Sequence, residues 1–173
     1  MIRTPAGMLA LTAAFALTAG CTPTDPKGKD APLPTRPFAE VTQQAEADAK
    51  IITDAAPDAE KSLWTATPAP CTGQNGEFAD DDRWYLAAGF VLDVPPSDQF
   101  TTLGRIKTAL QNKGWVITGE ESFADGTRGD LTAHNPATGH TTNLFTTKDR
   151  TGIAVSVDSP CYMPSPGENP LKG

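Results

Sequence analysis

Residues Arg83 to Val94 read RWYLAAGFVLDV, and every second side chain from Trp84 through Leu86, Ala88, Phe90 and Leu92 to Val94 is apolar. Successive side chains of a β-strand point to opposite faces. This stretch is therefore a strand with one wholly apolar face, and that face needs a covering layer. Two other stretches can supply it. Phe38, Val41, Ala45, Ala49 and Ile52 recur at three- and four-residue steps, the stripe of an amphipathic helix. Pro57 ends that helix, because a residue before proline avoids helical angles. Glu40, Gln43, Glu46, Asp48 and Lys50 are expected mostly on its other side. Beyond Pro95-Pro96, Ser97 or Asp98 caps a second helix. Its stripe is Phe100, Leu103, Ile106 or Lys107, and Leu110, and it stops at Asn112-Lys113-Gly114, where glycine takes the left-handed position.

The strand-helix pair leads into a further strand, Trp115 to Phe123. Turn clusters at Asp125-Gly126, Asn135 to Gly139 and Lys148 to Gly152 then separate Arg128–Asn135, His140–Thr147 and Ile153–Asp158, a meander. Upstream, Leu63-Trp64-Thr65 is a candidate short strand. Pro68, Pro70 and Gly73 mark irregular chain up to Asp82. The expected fold is α+β: a mainly antiparallel sheet of about four to five strands, two helices packed on one face, and one disulfide. Trp64, Trp84 and Trp115 are read as core. A lesser alternative places one or two of them on an exposed sheet face that binds lipid, glycan or peptide.

The chain starts Met-Ile-Arg-Thr-Pro and then runs from Ala6 to Thr18 without a charge. Such a run spans about 20 Å as a helix, short of the roughly 20 apolar residues a bilayer span needs. A basic start, a short apolar run and a small-residue exit describe a secretory signal. The exit, Leu17-Thr18-Ala19-Gly20-Cys21, resembles the bacterial lipobox, with Thr18 where Leu is commonest. The resemblance implies that Cys21 is alkylated with diacylglycerol and becomes the first residue of the mature chain. One acyl chain holds a protein to a membrane only marginally, and two hold it stably. An acidic chain of net charge −7 could then stay on a membrane without basic residues. The same charge balance leaves a nucleic-acid partner without electrostatic support.

Thr22 to Pro37 reads TPTDPKGKDAPLPTRP, five of whose sixteen residues are proline. It cannot bury enough surface to offset its chain entropy. The expected organisation is a lipoprotein signal peptide over 1–20, a lipidated Cys21 and Pro-rich tether over 21–37, one α+β domain over 38–162, and a loose tail over 163–173. With Cys21 taken by lipid, Cys71 and Cys161 remain as a pair outside the cytoplasm, most simply a disulfide.

No arrangement of residues carries a catalytic reading. There is no Gly-x-Ser-x-Gly elbow, no Ser-x-x-Lys, no phosphate loop and no Cys-x-x-Cys. The two histidines, His134 and His140, flank one expected turn and in register would face each other, with Asp130 or Asn143 nearby. Two histidines without a clear third ligand make a weak zinc site, so no metal or other cofactor is expected. Asp80-Asp81-Asp82, with Glu77 upstream, lacks the alternate spacing of a calcium loop and reads as solvated chain. Arg128-Gly129-Asp130 overlaps the entry to a strand and reads as a chance tripeptide.

Beyond the lipobox, the layout resembles small cell-envelope lipoproteins of high-GC Gram-positive bacteria. The corresponding pieces are the Pro- and Thr-rich tether, a helix, Trp64 followed by Cys71, and a late Ser159-Pro160-Cys161. The resemblance implies a location on the outer face of the cell membrane rather than an activity. The expected function is a membrane-anchored, non-enzymatic binding or structural domain whose partner is an envelope protein, a wall component or a lipid. The alternatives are a carrier with an apolar pocket, and an envelope enzyme whose site forms only in three dimensions.

Overall fold

The computed structural model describes residues 32–72, 77–122 and 129–172. Cys21, the run before it, most of the tether, Gly73, Arg128 and the Asp125-Gly126 turn lie outside the described residues. In chain order the elements are α1 (Phe38–Asp54), β1 (Glu60–Lys61), β2 (Thr65–Pro70), β3 (Trp84–Asp93), α2 (Gln99–Asn112), β4 (Val116–Ser122), β5 (Gly129–His134), β6 (Thr141–Thr146) and β7 (Gly152–Asp158). A final 3-10 turn spans Pro170–Lys172. Among the described residues the strands form one seven-stranded sheet in the order β1-β3-β7-β6-β5-β4, with β2 also on β3. Every pairing is antiparallel.

Strand β3 behaves as its alternation requires. Trp84, Leu86, Ala88, Phe90 and Leu92 are buried, whereas Val91 and Asp93 are exposed. Both helices lie on the buried face, α1 against β3 and β7, and α2 against β4 and β5. The core joins Val41, Ala45, Ala49 and Ile52 of α1 and Leu103, Ile106 and Leu110 of α2 to Leu131, Leu144, Ile153, Val155 and Val157 of the sheet. Trp84 and Trp115 are buried in it, and Trp64 is half-buried against it with its ring 5.9 Å from that of Phe90. The strands β4 to β7 form the expected meander, and α2 carries the chain from β3 to the far edge.

Several expectations change. The sheet has seven strands rather than four to five, because β1 and β2 both add to the outer edge of β3. The candidate strand Leu63-Trp64-Thr65 is displaced: only Thr65 of it belongs to a strand, β2, which runs on through Pro68 and Pro70 where irregular chain is expected. An edge strand has one side without a ladder to complete, so prolines are tolerated there. Phe100 is about half exposed, and Gln99 takes the buried place at the start of α2. Its Nε2 donates to Val94 O and to Arg150 O, both at 2.9 Å, tying α2 to the β6–β7 turn.

The expected loose tail is held in place. Met163 bridges Thr35, Arg36 N donates to Met163 O, and Leu171 packs against the core. Glu168 Oε1 accepts a hydrogen bond from Phe38 N at 3.0 Å. Pro37 precedes α1 and offers no capping side chain, so the tail supplies the acceptor that the helix start lacks. A carboxylate there also suits the helix dipole.

Two glycines sit where β3 and β7 leave no room for a side chain. A Cβ added at Gly152 would lie 2.2 Å from Leu92 O, and one at Gly89 would lie 2.6 Å from Val155 O. Neither oxygen can move aside without breaking the ladder. Gly152→Ala is therefore expected to destabilise the domain by about 1–3 kcal/mol, the usual cost of overpacking. Urea unfolding measures it, and an unchanged midpoint would contradict the β3–β7 register.

Candidate functional site

Helix α1 places Glu40, Gln44 and Asp48 at four-residue steps, one row along the side that faces the β5–β6 turn, and Arg36 stands just before the helix at the head of that row. The turn is held by its own backbone and side chains. Asn135 N donates to His140 O and Gly139 N to Asn135 O, both at 2.8 Å. Asn135 Oδ1 accepts from Ala137 N, and Thr138 Oγ1 accepts from His140 N. Gly139 has φ +79°, a left-handed conformation that glycine adopts without strain. The turn thereby drives the His140 ring toward α1.

There His140 Nδ1 meets Asp48 Oδ2 at 2.7 Å, and the two side chains are only 2% and 4% exposed. Asn135 Nδ2 lies 3.4 Å from the other Asp48 oxygen. The carboxylate orients the ring by accepting a hydrogen bond from Nδ1–H, which leaves Nε2 as the other ring nitrogen. His140 Nε2 has no hydrogen-bond partner among the described residues. The ring lines an open groove of about 240 Å³ shared with Arg36, Glu40, Val41, Gln44, Ala137, Thr138 and Tyr162. Arg36 and Glu40 form an ion pair across one turn of chain. Burial pushes the Tyr162 phenol above its ordinary range, with Arg36 drawing it down and Glu40 raising it. It is therefore a neutral hydroxyl near neutral pH. Its ring is 5.8 Å from that of Trp84, which packs in turn on Phe38 at 5.7 Å.

Asp48, expected with the polar residues on the other side of α1, is 3% exposed. The signal was present: positions 41, 45, 48 and 52 step by four, three and four, which puts Asp48 on the apolar stripe.

The two histidines do not face each other. His134 pairs with Thr141 and alternates with the buried Leu131 and Ala133, so it lies on the face away from the helices. His140 has the parity of the buried Thr142 and Leu144 and lies on the helix face. Asp130 and Asn143 are on the face of His134. There Asn143 accepts from Thr132 Oγ1 at 3.1 Å and donates to Ser156 Oγ at 3.2 Å. Ser156 Oγ donates to Asp158 at 3.0 Å, whose carboxyl burial pushes above its ordinary range. Among the described residues no group of three or more His, Cys, Asp or Glu is placed to hold a metal.

Several of the remaining candidates have structural uses. Cys71 and Cys161 form a disulfide with Cα atoms 6.2 Å apart, joining the end of β2 to the segment after β7. Asp81 holds the buried Arg83 in a two-pronged ion pair at 2.6 and 2.8 Å, and that hydrogen bonding lowers the Asp81 carboxyl below its usual value. Asp82 reaches Lys172 at 3.8 Å. Gly129 and Asp130 belong to β5.

No protein-family model, curated protein or solved structure matches the chain. No described helix is long and apolar enough to cross a membrane.

Proposed function

We propose that the chain is a lipid-anchored extracytoplasmic lipoprotein whose single α+β domain binds a component of the cell envelope and carries out no reaction on it. The observation that carries this reading is the Cys71–Cys161 disulfide. It accounts for two of the three cysteines, fits an oxidising compartment, and leaves Cys21 alone at the end of a lipobox-like run. The Pro-rich segment after it would hold the domain off the headgroups, and the α1–turn groove supplies a place for a ligand.

Cys21→Ser tests the anchor. Membrane fractionation is expected to find the variant as soluble protein or as unprocessed precursor, with the disulfide intact. Unchanged processing and attachment would refute the anchor.

A second reading, an envelope enzyme, is favoured by the buried Asp48–His140 pair beside a groove, since an imidazole oriented by a carboxylate is how many general bases are built. Hydrolysis of a wall or ester substrate, lost in His140→Gln, would select it. The carrier reading is disfavoured by the filled space between sheet and helices, where Ile52, Leu86, Leu92, Ile106, Leu110 and Leu144 are at most 1% exposed.

A further inference from the structure

We infer that the groove between α1 and the β5–β6 turn is a saccharide subsite, which takes one sugar ring with His140 Nε2 against a ring hydroxyl. The inference rests on the binding-domain reading above and names its ligand class.

The chemistry of the lining selects the ligand. Six of the eight lining residues are polar: Arg36, Glu40, Gln44, Thr138, His140 and Tyr162. An apolar ligand would strip water from these groups without replacing their hydrogen bonds. A bare anion is no better served. Arg36 is already paired with Glu40, and the Asp48 carboxylate stands directly behind the imidazole. A hydroxyl fits both states of the ring. With Nδ1–H held by Asp48, a neutral imidazole presents a bare Nε2 that accepts from the hydroxyl, and a protonated one presents Nε2–H that donates to it. Glu40 and Gln44, one helical turn apart, and Arg36 just before the helix end in flat, two-pronged polar groups, suited to neighbouring hydroxyls of one ring. Val41 and Ala137 offer the apolar contact that the C–H edges of a sugar require. The volume, about 240 Å³, lies below the roughly 300–1,000 Å³ of drug-sized sites and suits one ring rather than an extended ligand.

The test is a titration of the detergent-solubilised full chain with N-acetylglucosamine, followed by amide NMR, with sodium acetate as a parallel arm. Saturable shifts are expected at Gln44, Ala137, Thr138 and His140, with a dissociation constant in the millimolar range. Gln44→Ala, which alters an exposed helix position and leaves the core intact, is expected to weaken binding about fivefold, the worth of one hydrogen bond. His140→Gln should weaken it further if that variant folds; Gln44→Ala keeps the test decisive if it does not. No shifts at high sugar concentration, shifts unaffected by Gln44→Ala, or the same saturable shifts with acetate would each overturn the proposal. Sugar binding by a chain that keeps its membrane attachment as Cys21→Ser would sink the anchor alone. Release of Cys21→Ser without sugar binding would sink the ligand class alone.

Discussion

Replacing Cys71 and Cys161 together by alanine lowers the unfolding free energy of the domain by about 4–5 kcal/mol, the chain-entropy value for a closed loop of this length. The bond joins residues 90 apart in sequence, so without it the unfolded chain regains the freedom of a loop that includes β3, α2 and the whole meander. It also fastens β2, whose two prolines each remove a backbone donor. Domains of this size have only about 5–15 kcal/mol of net stability, so the loss is a large fraction of the total. Urea unfolding of the double variant against the oxidised parent measures it. A loss below about 1 kcal/mol would mean that the bridge constrains little of the unfolded chain.

The second large effect lies at the buried pair. Asp48→Ala or His140→Ala is expected to cost about 3–5 kcal/mol, because each leaves its partner buried without compensation. Neither side chain is more than 4% exposed, so the group left behind is poorly solvated. The double variant removes both groups and is expected to lose less than the sum of the singles, with a coupling of about 2 kcal/mol. A double-mutant cycle by chemical unfolding gives that number directly. Single effects that simply add, within about 0.5 kcal/mol, would show that the 2.7 Å contact contributes little. The pair links residues 92 positions apart, so its coupling also reports on the docking of α1 against the meander.

What could be read in the residues and what could not divide along physical lines. The alternation from Trp84 to Val94 revealed β3 and its buried face, because period two has one structural meaning over that length. The helix stripes and the turn clusters of the meander were equally plain. β1 escaped because a two-residue strand carries no period. β2 escaped because Thr65-Ala66-Thr67-Pro68-Ala69-Pro70 has neither branched apolar residues nor an uninterrupted donor row, and its strand state comes from the free edge of β3. Asp48 was misplaced because a carboxylate on an apolar stripe becomes sensible only once a partner is known. That partner, His140, reaches it through a turn whose geometry depends on Gly139 and Asn135. The tail was misread for a similar reason: Pro- and Gly-rich chain is loose unless something anchors it, and here Thr35 and the bare start of α1 do so.

The central proposal is that Cys21 carries the membrane anchor while Cys71 and Cys161 pair with each other. The intact mass of the protein extracted from membranes under non-reducing conditions tests both halves at once. The expected mass is that of a chain beginning at a diacylglyceryl-modified Cys21 and two hydrogens lighter than its reduced form. A chain that retains Met1, or one with an unmodified Cys21 and reducible only through a bond to that residue, would contradict it.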